Sequence, residues 1–470
     1  MAGWKITKQC YFVCYNEAVT LGVAGIVKSA VNGNLLNVRW LHSIQLYAEN
    51  YAMKFKTTAL SNFNTLHDYD PNAMSVEQAR QFIQQFLTPI AGPETVPLQA
   101  AFQRTLVCDV ISPMNVPPHD YSAMDGYAVR AADGAQGGEQ LKIIGSSYAG
   151  HIFEGSVTMG ECVRIMTGAL IPNGCDSVVM QEHVAVAGDV IKLNKAARAG
   201  QNIRCAGEDI PHGSIILARG QSIRSAEMGV LASLGLSEVQ VYRKLKVAIF
   251  STGDELQQPG TPLLVGQIYD SNRYTLMGLL AGLAVKIIDL GNIRDDKAIL
   301  KKAMLDAAQQ ADVIITSGGV SVGEADYIKQ LLAEIGEVVF WKIAMKPGRP
   351  LAYGKIGSAH FFGLPGNPVA VMVTFQQFVR DALLIIMGQQ PKPAFILQAK
   401  CTNPIKKTLG RMEFQRGILS QAASGEWLVQ TTGEQGSGIL SSMSRANCFI
   451  VLATDQGDVV AGSMVEVQFT

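Results

Sequence analysis

Apolar and polar positions change their period several times along the chain, and each change marks a different kind of element. Residues 75–87 repeat apolar positions at helical spacing, and Ser75-Val-Glu-Gln78 at their start has capping-box spacing, so an amphipathic helix is predicted there. A Pro-punctuated stretch follows, and residues 98–112 read as a second helix running into a short strand. Between Pro113 and Arg204 the texture turns to short β-rich runs separated by Gly and polar turns. Among them are Leu141-Lys-Ile-Ile144, Glu161-Cys-Val-Arg-Ile165, Ser177-Val-Val-Met180 and Val190-Ile-Lys-Leu193, which together predict an inserted β domain. A Gly-rich region over 207–220 and a helix over 225–234 lead on to Val239.

From Leu245 to Gly388 strands and helices alternate. Lys246-Val-Ala-Ile-Phe250 is followed by a helix beginning near Ser271, then Val285-Lys-Ile-Ile-Asp-Leu290, a helix near 297–309, and Asp312-Val-Ile-Ile-Thr316. That order predicts βαβ units, a parallel sheet with crossover helices, and ligands beyond the carboxyl ends of the strands. Residues 393–470 return to short strands and turns, the pattern of a small β barrel or sandwich. Residues 1–73 differ from all of this. They show no sustained period and end in the polar run His67-Asp-Tyr-Asp-Pro-Asn72, which reads as an accessory segment, or as residues preceding a native start at Met53 or Met74. No internal repeat is evident.

Composition narrows the picture. A chain of 470 residues, 48% hydrophobic and 17% charged, is globular and long enough for three or four domains. Lys plus Arg equals Asp plus Glu at 39 each, so no overall field recommends nucleic acid or an anionic membrane, and an anionic ligand needs a local pocket. The eight cysteines include no CxxC pair or Cys/His cluster with zinc spacing, which suits reduced thiols in a cytoplasmic protein. The apolar stretch 18–27 is too short for a membrane span and lacks a small-residue cleavage site, so neither span nor signal peptide is expected.

The chemistry gathers in the loops after the α/β strands. Ser251-Thr-Gly-Asp-Glu255, Gly291-Asn-Ile-Arg-Asp-Asp296 and Ser317-Gly-Gly-Val-Ser-Val-Gly-Glu-Ala-Asp326 each follow a strand, and together they predict a carboxylate-rich crevice at one sheet edge. Gly318, Gly319 and Gly323 allow tight turns that present backbone N–H groups, with Ser317 and Ser321 as further donors, so a phosphate cradle is expected. It is neither a Walker A loop nor a GxGxxG fingerprint, which disfavours a nicotinamide dehydrogenase. Glu255, Asp254, Asp295 and Asp326 are hard oxygen ligands suited to Mg²⁺, although Asp254 and Asp296 also fit helix caps. Lys342, Lys346 and Arg349 cluster cations in a Pro/Gly-constrained turn fit for an oxyanion or phosphate. Gly363-Leu-Pro365-Gly366-Asn367-Pro368 is a rigid turn into an apolar helix whose N-terminus is either a second anion site or a simple helix start. Asp125, in Ser122-Ala-Met-Asp-Gly-Tyr-Ala-Val129, and Thr167, in Met166-Thr-Gly168, read from spacing alone as ordinary turn residues.

From Met74 to Thr470 the chain resembles the molybdopterin molybdenumtransferases, bacterial relatives of the gephyrin E domain. The resemblance rests on Ser122-Ala-Met-Asp-Gly-Tyr-Ala, Ser251-Thr-Gly-Asp-Glu-Leu, the Gly318-Gly-Val-Ser-Val-Gly-Glu-Ala-Asp-Tyr run, Lys346-Pro-Gly and Leu364-Pro-Gly-Asn-Pro, which occur in the family's order and spacing. It implies a multidomain α/β plus β protein of elongated shape. Its molybdopterin-binding α/β domain would comprise 74–93 and 245–392, its linker domain 94–112 and 205–244, its inserted β domain 113–204, and its barrel-like C-terminal domain 393–470. It further implies a homodimer with Asp125 facing the α/β domain of the other subunit. By the same resemblance Asp125, Thr167, Glu255, Asp295, Asp326, Lys342 and Lys346 matter for activity, with Glu255 and Asp326 as the Mg²⁺ ligands. Arg416 in Phe-Gln-Arg-Gly and Ser437 in Gln-Gly-Ser match positions that handle the oxyanion. Many relatives carry Ser two residues after Pro-Gly-Asn-Pro where this chain has Ala370, so a hydroxyl contact there is not carried over.

The implied reaction inserts molybdenum from molybdate into adenylylated molybdopterin and releases AMP, with the lysines offsetting substrate charge and Mg²⁺ polarising the phosphoanhydride. Docking with other enzymes of cofactor assembly is also implied. A gephyrin-E-like scaffold and another nucleotide hydrolase on the same α/β module are the competing readings.

Overall fold

The computed structural model describes residues 73–319 and 326–469. The predicted capping box is present: Gln78 N–H donates to Ser75 Oγ at 3.1 Å, the Gln78 side chain accepts from Ser75 N–H at 3.0 Å, and the helix Val76–Gln84 follows. Residues 98–112 depart from expectation. Only Leu98–Ala100 forms a helical turn, and Val110–Ile111 is a two-residue strand. Gln103 sits at φ 60°, and the N–H groups of Gln103 and Leu106 donate to the carbonyls of Ile223 and Gln221, so long-range partners displace the helical ladder.

The α/β region is built on a six-stranded sheet in which Leu245–Thr252 is second from one edge. Val285–Ile293, Leu245–Thr252, Val313–Ser317 and Ala359–Leu364 run parallel in that spatial order; Pro350–Ile356 and Glu337–Lys342 then continue it antiparallel. The sheet is therefore mixed, where the sequence predicted a parallel one, because a tight turn after Ile356 permits a hairpin and needs no crossover helix. Continuous apolar runs are what such strands require, since both faces are covered. Alternation of side chains assigns the two faces. Val247, Ile249, Val313, Ile315, Phe362 and Leu364 join one core with the helices Ser271–Ala281 and Pro368–Thr374. Ala248, Phe250, Ile314 and Phe361 join the other with Lys297–Gln310 and Asp326–Ile335.

A separate six-stranded sheet contains Gly126–Val129, Gln140–Ser147, Glu161–Ile165, Ser177–Met180, Val184–Ala187 and Val190–Leu193. It holds the β-rich runs read from the sequence. In the C-terminal part, Met412–Gln421, Trp427–Thr431, Ile396–Cys401, Met464–Phe469 and Cys448–Leu452 pair in a ring, because Met412–Gln421 also pairs with Cys448–Leu452. The ring is a closed barrel. Phe414 and Phe449 leave the barrel's own interior and pack into the core of the α/β sheet, so barrel and sheet share apolar contacts. Among the described residues one helical run, Pro368–Ile386, is long and apolar enough to cross a membrane; most of it is buried inside the fold, with a π-helical turn at Phe375–Val379.

Candidate functional site

The loops leaving the carboxyl ends of the parallel strands meet at one edge of the sheet, where an open α/β fold binds its ligand. Two glycine turns are held side by side there. Ser317 Oγ donates to Pro365 O at 3.3 Å, Gly318 N–H donates to Leu364 O at 3.2 Å, and the Asn272 amide nitrogen donates to both Ser317 Oγ at 2.9 Å and Gly366 O at 2.6 Å. Gly318 and Gly319 adopt φ of 94° and 67°, and a Cβ on them would lie 2.7 Å from Thr252 O and 2.0 Å from Ile328 Cδ1. Only glycine fits these positions. Ser321 and Gly323, the other predicted members of the cradle, lie outside the described residues.

Thr252 connects this cradle to the acidic loops. Its side chain acts weakly on the Asp295 carboxyl, Asp295 N–H donates to Asp254 Oδ1 at 3.4 Å, and the Asn292 amide donates to Gly253 O and Leu256 O, each at 3.1 Å. A Cβ on Gly253 would meet Glu255 Oε2 at 2.6 Å, so this glycine leaves space for the Glu255 carboxylate. Burial, and then the charges of Asp254 and Glu255, push the Asp295 carboxyl above its ordinary value. Like charges gathered in this way suit a cation. Among the described residues no group of three His, Cys, Asp or Glu converges as a protein-only metal site; Mg²⁺ commonly uses one or two carboxylates and takes its other ligands from phosphates and water, so the donor set fits it. Asp326 opens the helix Asp326–Ile335, and its side chain is outside what is described. Asp296 acts as a cap, accepting from Ala298 and Ile299 N–H. Beneath the loops, buried Asp270 accepts from Ser251 Oγ and from Arg273, which also pairs with Asp289, and this network fixes the strand end.

The cationic turn lies between the sheet and the barrel. Lys342 ends the strand Glu337–Lys342, whose backbone carbonyl accepts from Met74 N–H. Lys346, 45% exposed, approaches Glu413 Oε1 at 3.6 Å. Gly348 has φ 97°, and a Cβ there would lie 2.5 Å from Thr374 Cγ2, so the turn carrying Arg349 packs closely on the helix Pro368–Thr374. Ala370 is buried in that helix, so the residue replacing the relatives' Ser sits within the packing. Asn367 is the N-cap residue, and Val369 N–H donates to Ser437 O at 3.1 Å, which brings the barrel's 434–437 loop onto the Leu364-Pro365-Gly366-Asn367-Pro368 turn.

Arg416, matched by the resemblance to a position that handles the oxyanion, lies on the barrel strand Met412–Gln421. It is wholly buried, and its guanidinium donates to Ser442 Oγ and to the carbonyls of Gln435, Gly436 and Glu434 at 2.9–3.4 Å. Burial lowers its pKa to about 10. The residue thus shapes the loop that carries Ser437. Asp125 and Thr167 come together on the separate β sheet: Thr167 N–H and Oγ1 both donate to Asp125 Oδ1, at 2.7 and 2.8 Å. These bonds, with a smaller contribution from Arg164, hold the exposed Asp125 carboxyl below its ordinary value. Asn272, Thr252 and Glu413 were not singled out from the sequence. The available signal for Glu413 was an acidic residue between two apolar ones, Met412-Glu-Phe414, at the start of a strand.

Comparison with known proteins defines the class first. Residues 248–384 match the model of a probable molybdopterin binding domain, residues 74–235 that of the MoeA N-terminal region (domains I and II), and residues 398–469 that of the MoeA C-terminal region (domain IV). The chain is 46% identical over 398 residues to a molybdopterin molybdenumtransferase of Haemophilus influenzae, covering 84% of this chain and 98% of that enzyme. It is 34% identical to molybdopterin molybdenumtransferase 2 of Mycobacterium tuberculosis, covering 84% and 98%. A crystal structure of the molybdopterin biosynthesis moeA protein from Pyrococcus horikoshii OT3 superposes with a TM-score of 0.73 at 30% identity, covering 85% of this chain and all of that one. The chain belongs to the MoeA family of molybdopterin molybdenumtransferases, enzymes of molybdenum cofactor biosynthesis.

Proposed function

We propose that the chain inserts molybdenum from molybdate into adenylylated molybdopterin and releases AMP. The observation that carries this reading is the joining of the Ser317–Gly319 and Pro365–Gly366 turns through Asn272, with Thr252 linking them to the Asp254, Glu255 and Asp295 cluster. Backbone N–H groups of the cradle would receive phosphate oxygens, with Ser317 holding the turn through Pro365 O and Asn272, while Lys342, Lys346 and Arg349 offset charge on two anionic substrates that would otherwise repel each other. Glu255 and Asp326 would hold Mg²⁺, which supplies charge neutralisation on the phosphoanhydride. The protein's own contribution is alignment and exclusion of competing water, with no covalent enzyme intermediate.

In the same reading the working unit is a homodimer, with the Asp125–Thr167 pair of one subunit facing the α/β crevice of the other. That arrangement gives a role to an aspartate that two bonds from Thr167 hold in place.

Reconstitution of a cofactor-free molybdoenzyme, with AMP release followed in parallel, tests the reading. Molybdate- and Mg²⁺-dependent AMP release is expected from the wild type, lost in Asp326→Asn and cut to a small residual rate in Lys346→Ala, with the fold retained; normal release by both variants would overturn it.

A further inference from the structure

The proposed site draws one of its cations, Lys346, from a two-residue strand, Met345–Lys346, that pairs in parallel with the barrel strand Met412–Gln421, Lys346 lying opposite Glu413. Glu413 is 1% exposed. Its Oε2 accepts from Gln415 Nε2 at 2.9 Å, and that amide also donates to Lys406 O at 2.8 Å, so one carboxylate oxygen is fixed by the barrel. The other oxygen, Oε1, is buried and accepts no hydrogen bond; the Lys346 ammonium lies 3.6 Å from it. A buried carboxylate oxygen without a donor is costly, so the lysine is drawn to a defined place.

Lys407 stands close by and is 6% exposed, with its ammonium donating to Thr408 O at 2.7 Å. Burial lowers its pKa, Glu413 opposes that shift, and Arg411 and Lys346 add to it. The four groups therefore share one neighbourhood, in which Glu413 is the buried carboxylate and Asp455 acts more weakly on Lys407.

We propose that Glu413 is the positioning residue for Lys346: the barrel holds the carboxylate rigidly, and the carboxylate orders the lysine before an anion arrives. Lysine has a flexible four-carbon stem, and an ammonium has three donors. Anchoring one side toward Glu413 leaves donors for a substrate oxyanion while the stem is already ordered. The barrel thereby contributes to the α/β site through a residue that touches no substrate. This inference rests on the reading of Lys346 as an anion-holding group.

A double-mutant cycle tests it with the full-length protein and molybdenum insertion as readout. Glu413→Gln keeps the shape and removes the charge, and kcat is expected to fall about tenfold with a much smaller change in the KM for molybdate. In Lys346→Ala the same change has nothing left to position, so Lys346→Ala/Glu413→Gln should be no slower than Lys346→Ala alone. Multiplying losses, or wild-type kcat in Glu413→Gln, would overturn the proposal, because a merely structural glutamate slows both backgrounds alike. If Glu413→Gln does not fold, the cycle is run with Lys407→Met throughout, which removes the buried cation that depends on the carboxylate. Full activity of Lys346→Ala would sink the reading of that lysine and this inference with it; an inactive Lys346→Ala beside a fully active Glu413→Gln would sink the inference alone.

Discussion

Asn272 donates through one amide nitrogen to Ser317 Oγ at 2.9 Å and to the Gly366 carbonyl at 2.6 Å, so a single side chain ties together two glycine turns 45 and 94 residues away in sequence. Both turns leave the same sheet edge, and neither has a side chain at its glycine with which to hold the other. Asn272 therefore sets the spacing of the cradle together with the direct bonds from Ser317 Oγ to Pro365 O and from Gly318 N–H to Leu364 O.

Replacing Asn272 should be felt in catalysis more than in stability. Asn272→Ala removes both bonds and should slow molybdenum insertion by about tenfold, the equivalent of one well-placed hydrogen bond of ~1.4 kcal/mol. Asn272→Asp should be worse, since it offers an acceptor to the Gly366 carbonyl and brings a negative charge to a site for anions. Steady-state insertion assays with thermal scans of each variant check this. An Asp variant as active as wild type would show that the amide is not the clamp.

Much of the architecture was legible because local pattern and tertiary demand agreed. Ser75 and Gln78 form the capping box that their spacing predicted, and the runs around Val247 and Ile314 are buried on both faces as parallel strands require. Legibility failed where partners are distant. The 98–112 segment has helical texture, yet its N–H groups are satisfied by Gln221 and Ile223, which no local window contains. The site behaved in the same way. Ser317, Gly318 and Gly319 announce a turn by composition, whereas Asn272 is an ordinary residue near a helix start until the fold brings Gly366 to it. Glu413 likewise gains its meaning only from a lysine distant in sequence that the fold pairs with it.

The Asp125–Thr167 pair gives a pH prediction with a definite sign. Hydrogen bonds from Thr167, its backbone N–H first and its hydroxyl second, hold the Asp125 carboxyl below 3.8, its ordinary value. A depressed carboxyl stabilises the fold fully above the unfolded value, and the contribution is lost as pH falls through the folded one, so the interaction is intact at neutral pH and weakens only in acid below that value. Thr167→Val keeps the N–H and loses the hydroxyl. An NMR titration should show the Asp125 midpoint rising in this variant while staying below 3.8. An unchanged midpoint would mean that the hydroxyl does not hold the carboxylate.

Arg416 separates a loop-shaping role from a ligand-binding one. Its guanidinium is turned inward onto the Gln435 and Gly436 carbonyls and Ser442 Oγ, and the Gln435 side-chain oxygen also accepts from Arg416 N–H. Arg416→Met would leave buried acceptors without donors, at a cost of about 3 kcal/mol or more, and Arg416→Lys should recover little because an ammonium cannot span the same fork of acceptors. Since Ser437 O receives Val369 N–H, release of this loop should also loosen the start of the helix Pro368–Thr374. Hydrogen exchange should therefore quicken at 434–437 and at Val369 in both variants, with weaker insertion that excess molybdate does not restore. Unchanged exchange with a loss of molybdate affinity alone would instead make the guanidinium a direct ligand. That result would require Arg416 to turn outward in the working enzyme.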